Sequence, residues 1–280
     1  MYADVHARTH LANRLVLEFR VWGLESDGVS LPVHLKSVRE VEGIRAAGRV
    51  VSGALDAAGK AVAAGVTLKR LEQVCDEYIR SHGGYPTFLG YRGFPAAVCI
   101  GVNEEVVHGI PGHRRLADGD IVKVDVGVTK DGLIADGART FAVGNVKPEV
   151  LALVTATERS FWLGAAQARA GNRVSDIGHA VQEYVESQGY SVVRDLCGHG
   201  VGTNLHEDPS VPNFGKPGQG MKLVAGMTLA IEPMVNLGGF KVETLGNGWT
   251  VVAVDRKPSA HYEHTILVTA GEPQILTAGE

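Results

Sequence analysis

Between Ile121 and Phe141 the sequence IVKVDVGVTKDGLIADGARTF reads as two β-strands joined by a tight turn. Ile121, Val122, Val124, Val126 and Val128 are apolar or β-branched, as strand residues tend to be. Lys130-Asp131-Gly132 supplies the turn, with glycine free to take a positive φ. With Lys130 and Asp131 at the tip, Val128 faces Leu133 and Asp125 faces Asp136. Upstream, Ser37 and Glu40 make a capping box. Val41, Ile44, Val51 and Leu55 follow at helical spacing. A second helix is predicted over 68–80, with Leu71, Val74, Cys75, Tyr78 and Ile79 on one face and Gly83-Gly84 as its stop. A third begins near Pro148, a residue favoured in a first turn, and runs to about position 170. A fourth spans 174–187 and ends at Gly189. Strand signals cover 97–100, 227–231, 240–244, 249–254 and 261–268, with Asn247-Gly248 as a hairpin turn.

The second and fourth helices match at one offset. Gly65 meets Gly171, Glu77 meets Glu183, Tyr78 meets Tyr184, Ser81 meets Ser187 and Gly83 meets Gly189. Leu68, Leu71 and Ile79 meet Val174, Ile177 and Val185, so the apolar face is kept. Each copy follows another helix and precedes a β-rich stretch. The pattern implies two related halves, about 35–147 and 148–280, packed as one α+β domain with a site between them. Residues 1–34 stand apart. They fit a short appended strand, a flexible arm or vector sequence, and also a translation start near Val33.

Length and composition narrow the class. The chain has 280 residues, 45% of them hydrophobic, enough for a substantial core. A net charge of −4 gives no general signature of nucleic-acid or anionic-membrane binding. No apolar run reaches membrane-spanning length, and the first ten residues lack the plan of a secretory signal. Three cysteines without a CxxC pair fit a reducing cytoplasm and argue against a disulfide framework.

The candidate chemistry begins with the hairpin. Two carboxylates side by side in a sheet repel, so either one is protonated or a cation sits between them. An Asp136-Gly137 turn is the plainer reading of the same residues. Three further segments carry ligand-type side chains. His199 lies among glycines in Cys197-Gly-His-Gly-Val-Gly202. Glu232 ends an apolar strand ahead of Pro233, where a lone carboxylate is costly unless paired. In His261-Tyr-Glu-His-Thr265, alternation puts His261, Glu263 and Thr265 on one face and Tyr262 and His264 on the other. Asp125, Asp136, His199, Glu232 and Glu263 would together gather about four negative charges, which two divalent cations neutralise. One imidazole among many oxygens suits Mn, Fe(II) or Co better than a tight structural zinc. Two such ions are a known device for sharing and activating a water.

With these segments in order, the chain resembles the bacterial type I methionine aminopeptidases. The resemblance covers about residues 35–276. It rests on GYRGFPAAVCIGVNEEVVHGIP, GDIVKVDVGVTKDGLIADGARTF, CGHGVGTNLHEDP, LAIEPMVN and HYEHTILVT. It implies a pita-bread (creatinase/aminopeptidase-like) fold: two pseudo-symmetric helix–helix–strand halves forming a curved antiparallel sheet with helices on its outer face. It implies two divalent ions (Co, Mn, Fe(II), Zn or Ni) on Asp125, Asp136, His199, Glu232 and Glu263, with Asp136 and Glu263 bridging. By the same resemblance Glu232 takes the proton of the attacking water, His108 contacts the substrate and assists proton transfer, and His206 hydrogen-bonds the scissile carbonyl. Phe88, Tyr91, Phe94, Cys99, Leu205 and Trp249 would form the methionine pocket, where aromatic edges and soft sulfur suit a thioether. Leu205 and Phe94 depart from the Phe and Tyr usual in the family.

The resemblance further implies a cytoplasmic monomer acting on nascent polypeptides, with transient ribosome contact as one possibility it raises. Its catalytic domain would be 35–280, preceded by the extension 1–34. Glu232 follows His199 by 33 residues, too close for the helical insert of type II enzymes. An Xaa-Pro aminopeptidase or prolidase would share the five ligands, but such enzymes carry a large extra N-terminal domain. A non-catalytic binding module of the same fold is the reading from another class; such proteins tend to have lost ligands.

Overall fold

Ser37 starts the ordered core as its spacing predicts. Its hydroxyl accepts the Glu40 N–H at 3.3 Å, and the Glu40 carboxylate accepts the Ser37 N–H at 2.8 Å. The structure is a computed structural model, and it describes residues 33–279. The readings offered for positions 1–32 therefore lie outside the described residues.

Four helices carry the outer layer: α1 (Val38–Ala61), α2 (Leu68–Ser81), α3 (Pro148–Ala165) and α4 (Val174–Ser187). The α3 helix stops short of the predicted position 170. Gln167 and Ala168 donate to carbonyls three residues back, which tightens the chain out of the α-helix, and Gly171 then turns at φ +102°. The first half supplies strands β1 (Tyr85–Pro86), β2 (Cys99–Val102), β3 (Glu105–Val107), β4 (Ile121–Lys130) and β5 (Leu133–Ala142). The second supplies β6 (Ser191–Val192), β7 (Gly198–Gly200), β8 (Glu207–Val211), β9 (Thr228–Ile231) and β10 (Met234–Asn236). It continues with β11 (Val242–Thr244), β12 (Val251–Ala253), β13 (Ser259–His261), β14 (Glu263–Leu267) and β15 (Gln274–Ile275).

The main sheet runs β1-β4-β5-β14-β9-β7-β8, with β2 added on β4 and β15 on β14. All its pairings are antiparallel. The halves join where β5 meets β14. Behind the first half, Ile44, Val51 and Leu55 of α1 and Leu71 and Ile79 of α2 pack on Ile100, Val122, Val124, Val126 and Val128. Behind the second, Phe161 and Ile177 pack on Leu229, Ile231 and Ile266. The two-layer, two-half reading thus holds, with helices on one face of an antiparallel sheet.

The hairpin register differs from the expectation. Lys130 pairs with Leu133, so Asp131 and Gly132 alone make the turn, at φ +50° and +79°. Two consecutive left-handed residues are what a two-residue hairpin turn requires. The pairing moves by two positions: Asp125 lies opposite Ala138, and Asp136 opposite Gly127. A shift of two leaves every side chain on its expected face. The carboxylates are diagonal neighbours rather than direct partners.

Lys123 ties the halves together. Its side chain is buried, and Nζ donates to Asn103 O at 2.7 Å and Ser259 O at 3.0 Å. The second acceptor lies in β13, just ahead of the His261–Glu263 segment.

Candidate metal centre

Register builds the site on the face away from the helices. One row across the sheet reads Cys99, Asp125, Ala138 and Glu263, on β2, β4, β5 and β14. The parallel row two positions along carries Gly127 and Asp136, then Thr265, Ala230 and His199. Between Asp136 and Thr265 the ladder is replaced by a side chain. The Thr265 hydroxyl accepts the Asp136 N–H and donates to the Asp136 carbonyl, both at 2.9 Å. Extending the Ile231–His264 pairing by one residue brings Glu232 beside Glu263, and Pro233 ends the ladder there.

All five predicted ligands converge. Ligand atoms of Asp136, His199 and Glu263 lie within 4.8 Å of one another. His199 Nε2 is 4.0 Å from Asp136 Oδ2 and 3.5 Å from Glu232 Oε1. Asp125 and Asp136 are close enough to share a hydrogen bond. His199 Nδ1 is 2.9 Å from Gly200 O. A carbonyl can only accept, so Nδ1 carries the proton and the Nε2 lone pair faces the carboxylates.

Burial is the largest influence on every carboxyl here. It raises Asp125, Glu232 and Glu263 well above the ordinary range, with their mutual repulsion adding to it. Asp136 is raised to about 7, again by burial, while the Gly137 N–H and Asp125 pull the other way. Burial lowers His199 to about 4. Four acids that resist ionising around a deprotonated imidazole lack positive charge. Asp125 Oδ1 and Glu263 Oε1 are buried without a hydrogen-bond partner. Oxygen-rich, unpartnered acceptors around one imidazole fit divalent metal ions.

The sequence reading did not count His261 among the site residues. Its ring is buried, with Nε2 at 3.8 Å from Glu232 Oε2 and 3.9 Å from Glu263 Oε2. Neither ring nitrogen has a hydrogen-bond partner. The signal was present in the alternation that set His261 on the face of Glu263. His264, on the opposite side, is held by Thr277 and Tyr262 and packs near Phe161.

The two loop histidines flank the cluster. His206 packs against His199, with ring centroids 4.3 Å apart and the planes tilted by 50°, and Tyr91 Oη lies 2.8 Å from its Nδ1. His206 is exposed at its edge, yet the burial of its ring, then His199, holds it well below the usual histidine range. His108 follows β3 at φ +56°, with a buried Nδ1 that has no partner. Burial lowers it to about 4, and its charge would be felt at both His206 and His261. The loop before β8 is fixed by Glu207. Its Oε1 accepts the N–H groups of Thr203 and Asn204 at 2.7 and 2.9 Å, and its Oε2 meets Lys36 Nζ at 2.6 Å.

Beside the carboxylates lies an apolar cluster. Phe88, Phe94, Cys99 and Leu205 are buried in one cluster, with Tyr91 and Trp249 against it. The six residues expected to contact methionine fall together in this cluster, along with Ala96, Ile110, Ile134, Val201 and Ala230. The pairing of β12 with β3 carries Trp249 to Phe94, edge to face at 5.1 Å. A Cβ at Gly127 would meet the Phe88 ring at 2.6 Å, so any side chain there would have to displace the ring. Cys99 lies opposite Asp125, so cluster and carboxylates share a wall.

Four acids and an imidazole suited to divalent ions, beside an apolar cluster, are the furnishings of a metal-dependent hydrolase. Comparison with known proteins agrees. The model of metallopeptidase family M24 matches residues 42–270. A methionine aminopeptidase of Clostridium perfringens is 50% identical over 87% of this chain and 98% of its own. The crystal structure of a methionine aminopeptidase from Thermotoga maritima superposes at a TM-score of 0.87, with 43% identity, over 89% of this chain and all of that one. A prolidase from Pyrococcus horikoshii reaches 0.71 at 20% identity, over 88% of this chain and 64% of its own, and shares the fold. The chain belongs to metallopeptidase family M24, among its methionine aminopeptidases.

Proposed function

We propose that this protein removes the N-terminal methionine from polypeptides whose second residue is small, by hydrolysis at the site just described. The observation that carries the reading is one wall shared by an apolar cluster and five converging ligand-type side chains. Asp125, Asp136, His199, Glu232 and Glu263 would hold two divalent ions. When bound, such ions make a water acidic and polarise a carbonyl.

The protein's own residues do the rest. The pocket of Phe88, Tyr91, Phe94, Cys99, Leu205 and Trp249 takes the methionine side chain, and its apolar walls exclude water from the neighbouring bond. Glu232 is the base that accepts the proton of the attacking water, a role suited to a carboxyl that burial, then Asp136, raises well above its ordinary value. A hydrogen bond from His206 to the scissile carbonyl strengthens as that oxygen gains charge. His108, at the opposite rim, contacts the substrate and assists proton transfer.

The same reading makes residues 35–280 the catalytic domain and the enzyme a cytoplasmic monomer that meets nascent chains, with a transient ribosome contact. Among the described residues, no helix is long and apolar enough to cross a membrane. The three cysteines are free. Co, Mn, Fe(II), Zn and Ni all suit the donor set.

Metal-loaded protein offered Met-Ala-Ser, Met-Leu-Ser and Ala-Pro-Ser should free methionine from the first, little from the second and nothing from the third. Chelator should abolish release. Preference for Ala-Pro-Ser would transfer the activity to the proline-directed class. Inertness toward all three with metal present would favour a binding module.

A further inference from the structure

Tyr91 does more than line the pocket. It enters a tight turn whose neighbours are pocket walls: its N–H donates to Phe88 O at 3.0 Å, and its carbonyl accepts the Phe94 N–H at 2.9 Å. Gly90 opens that turn at φ +82°. Backbone therefore fixes where the phenol ring sits. The ring stacks on His206 at 5.4 Å and 28°, and its hydroxyl lies 2.8 Å from His206 Nδ1.

A neutral imidazole has one N–H, and the bond made at one nitrogen decides where it is. Two arrangements fit a 2.8 Å contact. In one the phenol donates to Nδ1, and the proton of His206 is on Nε2. In the other Nδ1–H donates to the phenol, and Nε2 is bare. A phenolic proton is the more acidic and an imidazole nitrogen the better acceptor, which favours the first. Among the described residues, His206 Nδ1 is the hydrogen-bond partner of the Tyr91 hydroxyl. With Nδ1 occupied, Nε2 is the nitrogen left for a ligand, and it can stabilise a developing oxyanion only as a donor.

We propose that Tyr91 is a positioning residue that donates to His206 Nδ1 and so holds the ring as its Nε2–H tautomer, ready to donate to the scissile carbonyl. This rests on the carbonyl-donor role given to His206 above. It also ties recognition to reaction, because the ring that contacts a methionine side chain carries the hydroxyl that sets the donor.

The tautomer can be read directly by nitrogen NMR on protein labelled at histidine, metal-free and loaded with diamagnetic zinc. His206 is assigned by the signal lost in His206→Ala. We expect a protonated Nε2 and an unprotonated Nδ1. Tyr91→Phe keeps the ring, and its melting midpoint should match the parent. It should lower kcat by about tenfold or more while KM for a Met-Ala peptide stays within about twofold. Added to His206→Ala, it should cost nothing further, since the two act as a unit. A wild-type signal showing Nδ1–H would overturn the proposal, as would an unchanged kcat in Tyr91→Phe or a loss confined to KM. Full activity in His206→Ala would sink the carbonyl-donor role instead, and the NMR reading would still decide the pairing.

Discussion

The two faces of strand β4 are made from alternate residues of one stretch and do opposite things. Val122, Val124, Val126 and Val128 point into the helix layer and are fully buried in an apolar core. Asp125 and Gly127 point the other way, into a basin of unpartnered carboxylates and a pocket wall. The first face is where burial of apolar surface holds the fold together. The second works against folding, because four acids are taken out of water and, among the described residues, no lysine or arginine pairs with them. Both duties fit in one strand because neighbouring side chains never share a face.

That contrast can be tested by changing one face at a time. On the basin face, Glu232→Gln should cut methionine release by about two to four orders of magnitude, since the proton acceptor is lost. Its melting temperature without metal should hold or rise, because one of four buried acids crowded together is replaced by a neutral amide. On the helix face, Ile100→Ala should cost about 2–5 kcal/mol of stability, because it empties a fully buried site. Turnover per folded molecule should survive, although Ile100 is the immediate neighbour of the pocket residue Cys99. Denaturant titration and active-site-normalised rates would separate the two results.

Acid–base behaviour should divide along the same line. Asp136 binds its proton more tightly folded, at about 7, than unfolded, at 3.8. At this group the folded state therefore holds more protons between those values, and its contribution to the stability of the metal-free protein falls as pH rises through that window. Between pH 5 and pH 8 the melting point in chelator should fall more, or rise less, in the parent than in Asp136→Asn, because the lowered histidines act in the opposite sense equally in both. Metal ions should flatten the difference and release protons as they bind. An equal slope with and without metal would separate the carboxylates from the ions. The smallest effect is expected at Gly127→Ala. Pushing Phe88 toward the pocket should raise KM for Met-Ala peptides by roughly tenfold, about 1.4 kcal/mol, with little change in kcat.

Much of this architecture is written in local patterns. Ser37 with Glu40, the helical spacing that follows and the Asn247-Gly248 turn are short-range signals, and each appears where it was read. The five ligands were legible as a set, because carboxylates in apolar strands need a common reason. The turn at 131–132 misled the register, since Lys130, Asp131 and Gly132 all tolerate a turn and only the three-dimensional pairing chooses between them. The error was even-numbered, so the facing of Asp125 and Asp136 survived it. Alternation puts His261 on the face of Glu263, but a lone histidine there reads as readily as a core residue, and only its buried ring beside two carboxylates marks it. Strands of two or three residues such as β6, β7 and β13 are too short to show alternation. They exist because neighbouring strands pair with them.

The clasp between Thr265 and the backbone of Asp136 joins segments 129 positions apart in the chain. A partly synthesised polypeptide therefore holds Asp125 and Asp136 without the strand that squares them up. The protein takes its place among working enzymes only after translation has gone past its last ligand. An enzyme proposed to trim newborn chains would itself be inert throughout its own birth.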